Sequence, residues 1–406
     1  MRKTTRFIAL AALFVLVAAI GGVASADERQ SVAAEQKGQG EGLKFIKNIP
    51  IGTGTDHEVR TIGKKTYAFA TSRSPLAEGG GVHVIDVTSP AKAKVVATVP
   101  CVASQGDIQI SHDLKTLMVG LSSTGGPESC TGIGKVGFIT IDISNPVKPK
   151  VLGFAETNVS HNITAHPKKP YVYNSTSALA PPGDMQIWSI KNPAKPKLVN
   201  TVPSLPHAPH DVSFNKKGTK AVTAAISHFD VFDTTDPENP SLIWTGQCPG
   251  CSITHDAKFL PNGKGLLIGD EGGGGLPYPC PGGAWYFYDF NTEQVPVLTG
   301  VYWPANFVTN QEGGAGACTS HVFDVSEDGT KIAISWYTLG TRYLDITSAV
   351  GATVGGNNVP GGIIECGWYV PEGGDSWSSK FSADDRWIFS NDIARGFDIF
   401  KITAEC

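Results

Sequence analysis

The sequence has 406 residues, enough for a large buried core, with 47 glycines, 17% charged residues and a formal net charge of -4. This charge excludes the strongly basic surface that is typical of nucleic-acid binding. Beyond the N-terminus there is no i, i+3, i+4, i+7 apolar pattern of the kind that indicates helices. Abundant glycine and sparse charge instead favour many short strands joined by tight turns.

Residues 1–26 are typical of a secretory signal peptide. Arg2, Lys3 and Arg6 precede the apolar run IALAALFVLVAAIGGVA, and a small-residue cleavage site ends at Ala26. The alternative is a membrane anchor, but the apolar run is short and ends at that cleavage site. We therefore expect an exported protein, extracellular or periplasmic, that is cleaved after Ala26 and keeps no stable membrane anchor.

Residues 27–42 are polar and rich in Gly and Gln, which predicts a disordered lead-in. The stretch LKFIKNI that follows, from Leu43 to Ile49, reads as an isolated strand.

The rest of the chain repeats one sequence pattern that is typical of a strand, a turn and a second strand. GVHVIDVTSPAKAKVVATVP begins at Gly81, and similar copies begin at Val136, Met185, Phe229, Trp285, Arg342 and Gly396. Two further strands precede each hairpin, so each repeat contains four strands. Seven such repeats predict an all-β, seven-bladed β-propeller over residues 43–406. The strand that begins at Leu43 completes the last blade and closes the ring.

The hairpin texts VHVIDVTSP, FITIDISNP and QIWSIKNP resemble the LVIVD repeat of exported bacterial β-propeller proteins. The resemblance covers most of the chain and is weaker in the last three repeats. It implies the fold and export, and it implies no single activity.

Connection lengths predict which face carries function. The second-to-third connections and the blade-to-blade connections are long and irregular, and in an up-and-down blade both emerge on the same face. Binding groups usually lie on such loops. The first hypothesis is therefore a non-catalytic scaffold that binds an extracellular protein or a small ligand on this long-loop face. Nothing in the sequence indicates an oligomer, so we expect a monomer.

The eight cysteines form an even set, and disulfides are expected in an exported protein. Six of them lie in or beside the long loops. The predicted pairs are Cys101–Cys130, Cys248–Cys280 and Cys366–Cys406. Cys251 is the alternative partner of Cys280, and the last pair is what remains after the others are assigned.

Histidine recurs where the first strand of a repeat begins. We assign five of the ten histidines to this position: His57, His161, His210, His255 and His321. The second and seventh repeats have Asp107 and Trp377 there. Because first strands line the central channel of a propeller, these imidazoles are expected near one channel mouth.

Converging imidazoles suit one transition-metal ion, such as Cu, Zn or Fe. The second hypothesis is accordingly a metal-dependent enzyme, an oxidase or hydrolase, with Asp107, Asp270 and Glu271 as further candidate ligands. Alternatively, each histidine bridges neighbouring blades and has no ligand. No G-x-S-x-G, H-E-x-x-H or S-x-x-K motif occurs, so no catalytic residue is assigned and an enzyme is the less favoured hypothesis.

Overall fold

The computed structural model describes residues 38–75, 78–101, 106–121, 136–157, 160–175, 183–202, 209–278, 282–290, 295–304, 317–349 and 362–406. Within these residues the chain forms strands β1 to β29, and a short 3-10 helix at Pro90–Lys92. No helix of this described part has the length and apolar character needed to span a membrane.

The strands of the first four sheets follow one another in the sequence. The first sheet contains β3 (Gly54–Ile62), β4 (Lys65–Ser72), β5 (Gly81–Asp86) and β6 (Lys94–Val99). The second contains β7 (Ile108–Ile110), β8 (Thr116–Leu121), β9 (Gly137–Asp142) and β10 (Lys150–Glu156). The third contains β11 (Asn162–Ala165), β12 (Tyr171–Ser175), β13 (Met185–Ser189) and β14 (Lys197–Val202). The fourth contains β15 (Asp211–Phe214), β16 (Lys220–Ala225), β17 (His228–Asp233) and β18 (Ser241–Gly246).

The last three sheets include the two N-terminal strands. The fifth contains β19 (Thr254–Phe259), β20 (Gly265–Asp270), β21 (Trp285–Asp289) and β22 (Val297–Tyr302). The sixth contains β23 (Phe323–Val325), β24 (Lys331–Ser335), β25 (Thr341–Asp345), β26 (Ile364–Pro371) and β1 (Gly38–Glu41). The seventh contains β27 (Ser376–Phe381), β28 (Trp387–Asp392), β29 (Gly396–Ile402) and β2 (Leu43–Ile49).

These sheets are the seven blades of a β-propeller, as the repeats predict. Neighbouring strands within a blade pair antiparallel, and the first strands of successive blades contact one another around the centre. Apolar side chains fill the space between blades; Phe69 and Val84 of the first blade, for example, pack with Ile108 and Val119 of the second. The centre of the molecule is therefore a channel walled by seven first strands.

The seventh blade joins the two ends of the described chain. Its outer strand β2 pairs antiparallel with β29, from Leu43 opposite Ile402 to Ile49 opposite Phe397. The edge of β29 is thus paired.

Strand β1 was not expected, and the prediction of a disordered lead-in over residues 27–42 is wrong for residues 38–42. Gly38 to Glu41 pair with Pro371 to Trp368 on the outer edge of the sixth blade. Glycine permits this close approach, since a Cβ on Gly40 would lie 2.5 Å from the Tyr369 ring. The composition that indicated disorder therefore allows an edge strand. Residues 27–37 lie outside the described part.

The repeated hairpin text has a local physical cause. Asp86, Asp142 and Asp233 each end a third strand and accept the backbone N–H two residues on, which forms an Asx turn. In all seven blades a β-bulge then shifts the register between the third and fourth strands. Bulges increase local twist, so each outer strand is twisted relative to the inner ones.

The disulfides agree with the predictions in one case and correct them in another. Cys366 and Cys406 are bonded and link the sixth blade to the C-terminus, which confirms that pair. Cys248 bonds to Cys251, so the predicted Cys248–Cys280 pair is wrong. The reason is that the C-P-G-C turn brings its two Cα atoms to 5.5 Å, within disulfide range. Cys101 and Cys318 are also disulfide-bonded, whereas Cys130 and Cys280 lie outside the described residues.

Candidate metal centre

A chamber of about 290 Å³ lies at the channel end where the first strands begin. We call it the upper chamber; its walls include His161, His210, His255, His321, Glu271 and Trp377. Each histidine precedes or begins the first strand of blades three to six, so four consecutive blades present an imidazole at the same height. The four side chains are buried, with 2–6% of each residue exposed.

The four imidazoles form a continuous row. The ring centroids of His161 and His210 lie 4.3 Å apart, those of His210 and His255 lie 4.5 Å apart, and those of His255 and His321 lie 4.1 Å apart. Trp377 of the seventh blade continues the row at 4.3 Å from His321. The convergence predicted from the repeats is therefore present for these four histidines.

His57 is not brought to this row. Its Nδ1 lies 2.6 Å from the Ser378 hydroxyl, and its ring packs against Phe397 in the seam with the seventh blade. The cause is the order of residues: in the first blade Asp56 precedes the histidine, whereas in the fifth blade Asp256 follows it. Asp56 and Asp256 each accept a backbone N–H from the first strand of the next blade, so Thr55 of the first blade corresponds to His255 of the fifth.

The second blade shows a similar one-residue offset. Gly106 precedes Asp107 as His210 precedes Asp211. Asp107 lies below the row and accepts the backbone N–H of Ile163 at 2.6 Å.

Glu271 completes the cluster. Its Oε2 lies 3.6 Å from His255 Nε2, and its Oε1 lies 3.6 Å from His321 Nε2. Donor atoms of His210, His255 and Glu271 all lie within 4.8 Å of one another. The neighbouring Asp270 points elsewhere, because its Oδ1 accepts the backbone N–H groups of Ser252 and Ile253. Of the two acidic candidates at this strand end, only Glu271 belongs to the cluster.

Burial sets the protonation of the cluster. It lowers the pKa of His255 well below the ordinary value, with His321 and His210 contributing further, and it lowers the pKa of His321 to about 3. These imidazoles are neutral near pH 7 and keep a lone pair for a ligand bond. Burial also raises the pKa of Glu271 to about 7, opposed by a hydrogen bond from Tyr337. A bound cation would favour the carboxylate form of Glu271.

Two hydrogen bonds orient the donors. His321 Nδ1 lies 2.6 Å from the carbonyl oxygen of Trp377, so Nδ1 carries the proton and Nε2 presents its lone pair toward Glu271. The Tyr337 hydroxyl donates to Glu271 Oε1 at 2.5 Å. Tyr337 has φ +40°, a conformation that non-glycine residues rarely adopt and that is frequent at functional sites.

Bridging between blades is carried mainly by acidic residues. Asp107 and Asp324 accept backbone N–H groups from the first strand of the next blade, at 2.6 Å from Ile163 and 3.0 Å from Phe381. Asp56 and Asp256 do the same at 3.3 Å. The proposed bridging role of the histidines holds for His57 and for Nδ1 of His321, and it does not account for the clustering of His210, His255 and Glu271.

Sequence reasoning missed three residues of the chamber. The sequence assigns no role to Tyr337 or Arg73, and it shows Trp377 only as the residue that replaces histidine in the seventh repeat. Arg73 lies at the rim with its guanidinium 5.8 Å from the Trp377 ring centroid. Of these three residues, only Trp377 could have been placed beside the imidazoles from the sequence, because it occupies the histidine position of the seventh repeat.

Comparisons with known proteins show the fold. No protein-family model and no curated protein matches the chain, so membership of the LVIVD-repeat family is not established. The β-propeller domain of Cps50 (Swd1) from Myceliophteria thermophila is similar in structure, with TM-score 0.63 and 10% identity, over 89% of this chain and 100% of that chain.

Two bacterial structures are also similar. Hydrazine synthase of Kuenenia stuttgartiensis has TM-score 0.63 and 12% identity, over 88% of this chain and 98% of that one. A functionally unknown protein from Desulfotomaculum acetoxidans has TM-score 0.54 and 13% identity, over 78% and 89%. At such low identity these similarities show a seven-bladed β-propeller and no activity.

Proposed function

We propose that the upper chamber binds one transition-metal ion through His210, His255 and Glu271, and that the protein is a metal-dependent enzyme acting on a small molecule. The observation that carries the proposal is the convergence of these donors within 4.8 Å in a buried chamber. Bonds of about 2.0–2.2 Å place donors about 3–4 Å apart, so small side-chain shifts complete the site.

The donor chemistry fits Zn, Cu or Fe. Two imidazoles and one carboxylate occur in catalytic zinc sites and in non-haem iron sites that keep open positions. Such an ion supplies Lewis-acid or redox chemistry when bound. The chain supplies the neutral imidazoles, the Tyr337 hydroxyl that orients Glu271, and an enclosed volume beside the donors.

Elemental analysis and metal titration test the proposal. We expect the purified protein, or the protein incubated with Zn²⁺, Cu²⁺ or Fe²⁺, to hold about one equivalent and to melt at a higher temperature. The free energy of unfolding rises by about 2.7 kcal/mol when the free metal is a hundredfold above Kd.

The matched variants separate this site from adventitious histidine binding. The double variant His210→Ala/His255→Ala should lose the metal, and Glu271→Gln should weaken its binding. His112→Ala, which removes an exposed histidine, should retain it. A wild-type protein that binds none of the three ions, or a double variant that binds as the wild type does, would overturn the proposal.

Binding of a partner on the long-loop face is a second candidate. Leu276 is 68% exposed in the β20–β21 connection, and Trp303 is 47% exposed just after β22. Both connections emerge on the face that carries the upper chamber, and long connections on a rigid scaffold usually carry binding groups.

We also propose export and membership of the LVIVD-repeat family. The signal-like N-terminus and the repeat texts support these proposals, as do the disulfides, which persist in oxidising compartments. We expect mass spectrometry of the secreted protein to show that its first residue is Asp27.

A further inference from the structure

The channel continues below the histidines into a second chamber of about 300 Å³. We call it the lower chamber; the acidic residues in its walls are Asp56, Glu58, Asp107, Asp211, Asp256 and Asp324. A passage of about 20 Å³, lined by Asp56, Asp107 and His161 among others, lies between the two chambers. Acidic residues of the first strands are thus gathered on one axis.

Part of this charge is neutralised by lysines of the chain itself. Lys258 follows Asp256 by two residues, and its ammonium donates to Asp256 Oδ2 at 2.6 Å and to the carbonyl oxygen of Phe323 at 2.5 Å. Lys380 donates to Glu58 Oε1 at 2.7 Å and lies 3.6 Å from Asp56 Oδ1. Blades five and seven therefore show how this channel holds an ammonium group.

Blades two to four have no lysine at the corresponding position. The residues there are Gln109, Thr164 and Ser213, which are neutral and also line the chamber. Asp107 and Asp211 are therefore not followed, two residues later, by a lysine such as Lys258. Burial, and then repulsion by Asp56 and Asp211, raises the pKa of Asp107 well above its ordinary value. This wall of the chamber is short of positive charge.

A second observation points to a ligand. Asp256 is only 1% exposed, yet its Oδ1 atom makes no hydrogen bond within the described residues. A buried carboxylate oxygen without a donor is unfavourable by more than the value of an ordinary hydrogen bond. A ligand that brings both positive charge and several N–H donors would satisfy this atom.

The spacing of the carboxylates favours an organic cation over a small metal ion. Within the described residues, the one set of three donors close enough to share an ion is His210, His255 and Glu271. No three carboxylates of the lower chamber lie this close to one another within the described residues. An ammonium group has three N–H donors on a compact charge and bridges more widely spaced acceptors.

We propose that the lower chamber binds a linear alkyl diamine, with one ammonium held by Asp107 and Asp211 as Lys258 is held by Asp256. The other ammonium extends along the channel axis, where the remaining carboxylate oxygens lie. This site is separate from the metal centre and does not depend on it.

Calorimetric titration at low ionic strength tests the proposal with 1,4-diaminobutane as the probe. We expect saturable 1:1 binding of the diamine, and none of 1,4-butanediol, which has the same length and no charge. Asp107→Asn/Asp211→Asn should weaken binding about tenfold or more, because an amide cannot take the carboxylate form that a bound ammonium stabilises. Asparagine still accepts the backbone N–H groups. Glu327→Gln/Glu405→Gln, the same charge change on exposed residues, should bind as the wild type does.

A gain of charge gives the sharper test. Ser213→Lys places a lysine two residues after Asp211, as Lys258 stands to Asp256, and should abolish diamine binding while the protein melts no lower than the wild type. His210→Ala should bind the diamine normally, so that failure of the metal proposal is distinguishable. Diamine binding no stronger than that of butanediol, or binding unchanged in both the Asn double variant and Ser213→Lys, would overturn the proposal.

Discussion

Glu271 and the groups around it show how single residues tune the candidate metal centre. Burial favours the protonated carboxyl, and the hydrogen bond from Tyr337 favours the carboxylate, with the result that the pKa of Glu271 is about 7. A metal ion must displace that proton to bind. Metal affinity near neutral pH therefore depends on a residue that does not contact the ion.

Tyr337→Phe tests this dependence. Without the hydroxyl the pKa of Glu271 rises further, so more of the carboxyl is protonated at pH 7 and metal binding should weaken about tenfold. The difference in metal affinity between the variant and the wild type should be smaller at pH 8.5, because a smaller fraction of Glu271 is protonated there. Metal titrations of wild type and variant at both pH values measure the effect.

Tyr286→Phe is the matched control for the loss of a hydroxyl. Its hydroxyl donates to the carbonyl oxygen of Pro249, away from the upper chamber. This variant should bind the metal as the wild type does at both pH values. A Tyr337→Phe protein with wild-type affinity at pH 7, or with a deficit equal at both pH values, contradicts the role assigned to the hydroxyl.

Repeat position alone predicts four of the clustered residues, because His161, His210, His255 and His321 occupy the same place in successive blades. It misplaces His57 because Asp56 precedes this histidine, whereas Asp256 follows His255, and the hydrogen bonds to the next blade show that the two aspartates are the equivalent residues. Glu271 was a weaker candidate because it belongs to a connection, whose path the repeat does not determine. Tyr337 depends on an unusual backbone conformation that has no sequence signature here.

At the scale of elements, the blades are specified by local rules that the sequence shows directly. Asx turns after Asp86, Asp142 and Asp233 and alternating apolar residues set the hairpins of three blades, and the seven copies set the number of blades. Strand β1 is different, because its glycines are compatible with disorder and with a sheet edge alike. What decides is the complementary surface of β26, which lies over 300 residues later in the chain.

Gly40→Ala tests the pairing of β1. A Cβ at this position would lie 2.6 Å from the Trp368 carbonyl oxygen and 2.5 Å from the Tyr369 ring, so the strand must detach. We expect amide hydrogen exchange of residues 38–42 to accelerate by roughly tenfold or more, with β23 to β26 unaffected. Mass-spectrometric hydrogen exchange of the corresponding peptides measures this.

Gln39→Ala is the control, since Gln39 is exposed on the same strand and pairs through its backbone. It should exchange like the wild type. Equal exchange in the Gly40→Ala and wild-type proteins would mean that β1 contributes no protection at this edge.

At the scale of the whole molecule, the propeller is one ring with two chambers on its axis, and both depend on the ring being closed. The upper chamber takes residues from blades three to seven, and Arg73 from the first. The lower chamber takes residues from all seven first strands. An opening between blades seven and one would move the first strands apart and disrupt both chambers, although none of their lining residues lies on the closing strand β2.

Truncation tests closure directly. Removing residues 1–50 deletes β2, exposes the edge of β29 and takes three apolar side chains, Leu43, Phe45 and Ile49, out of the packing of the closing blades. Full burial of such a side chain contributes about 1.5–3 kcal/mol and Phe45 is only partly buried, so the loss is at most roughly 9 kcal/mol, comparable to the whole stability of many domains. We expect this protein to aggregate through its open edge or to melt far below the full chain. Removing residues 1–42 deletes only β1 and should change the melting temperature little. The same melting temperature for both truncations would show that the ring is held without β2, and closure would then have to rest on the packing of β27 and β28 of the seventh blade against β3 of the first.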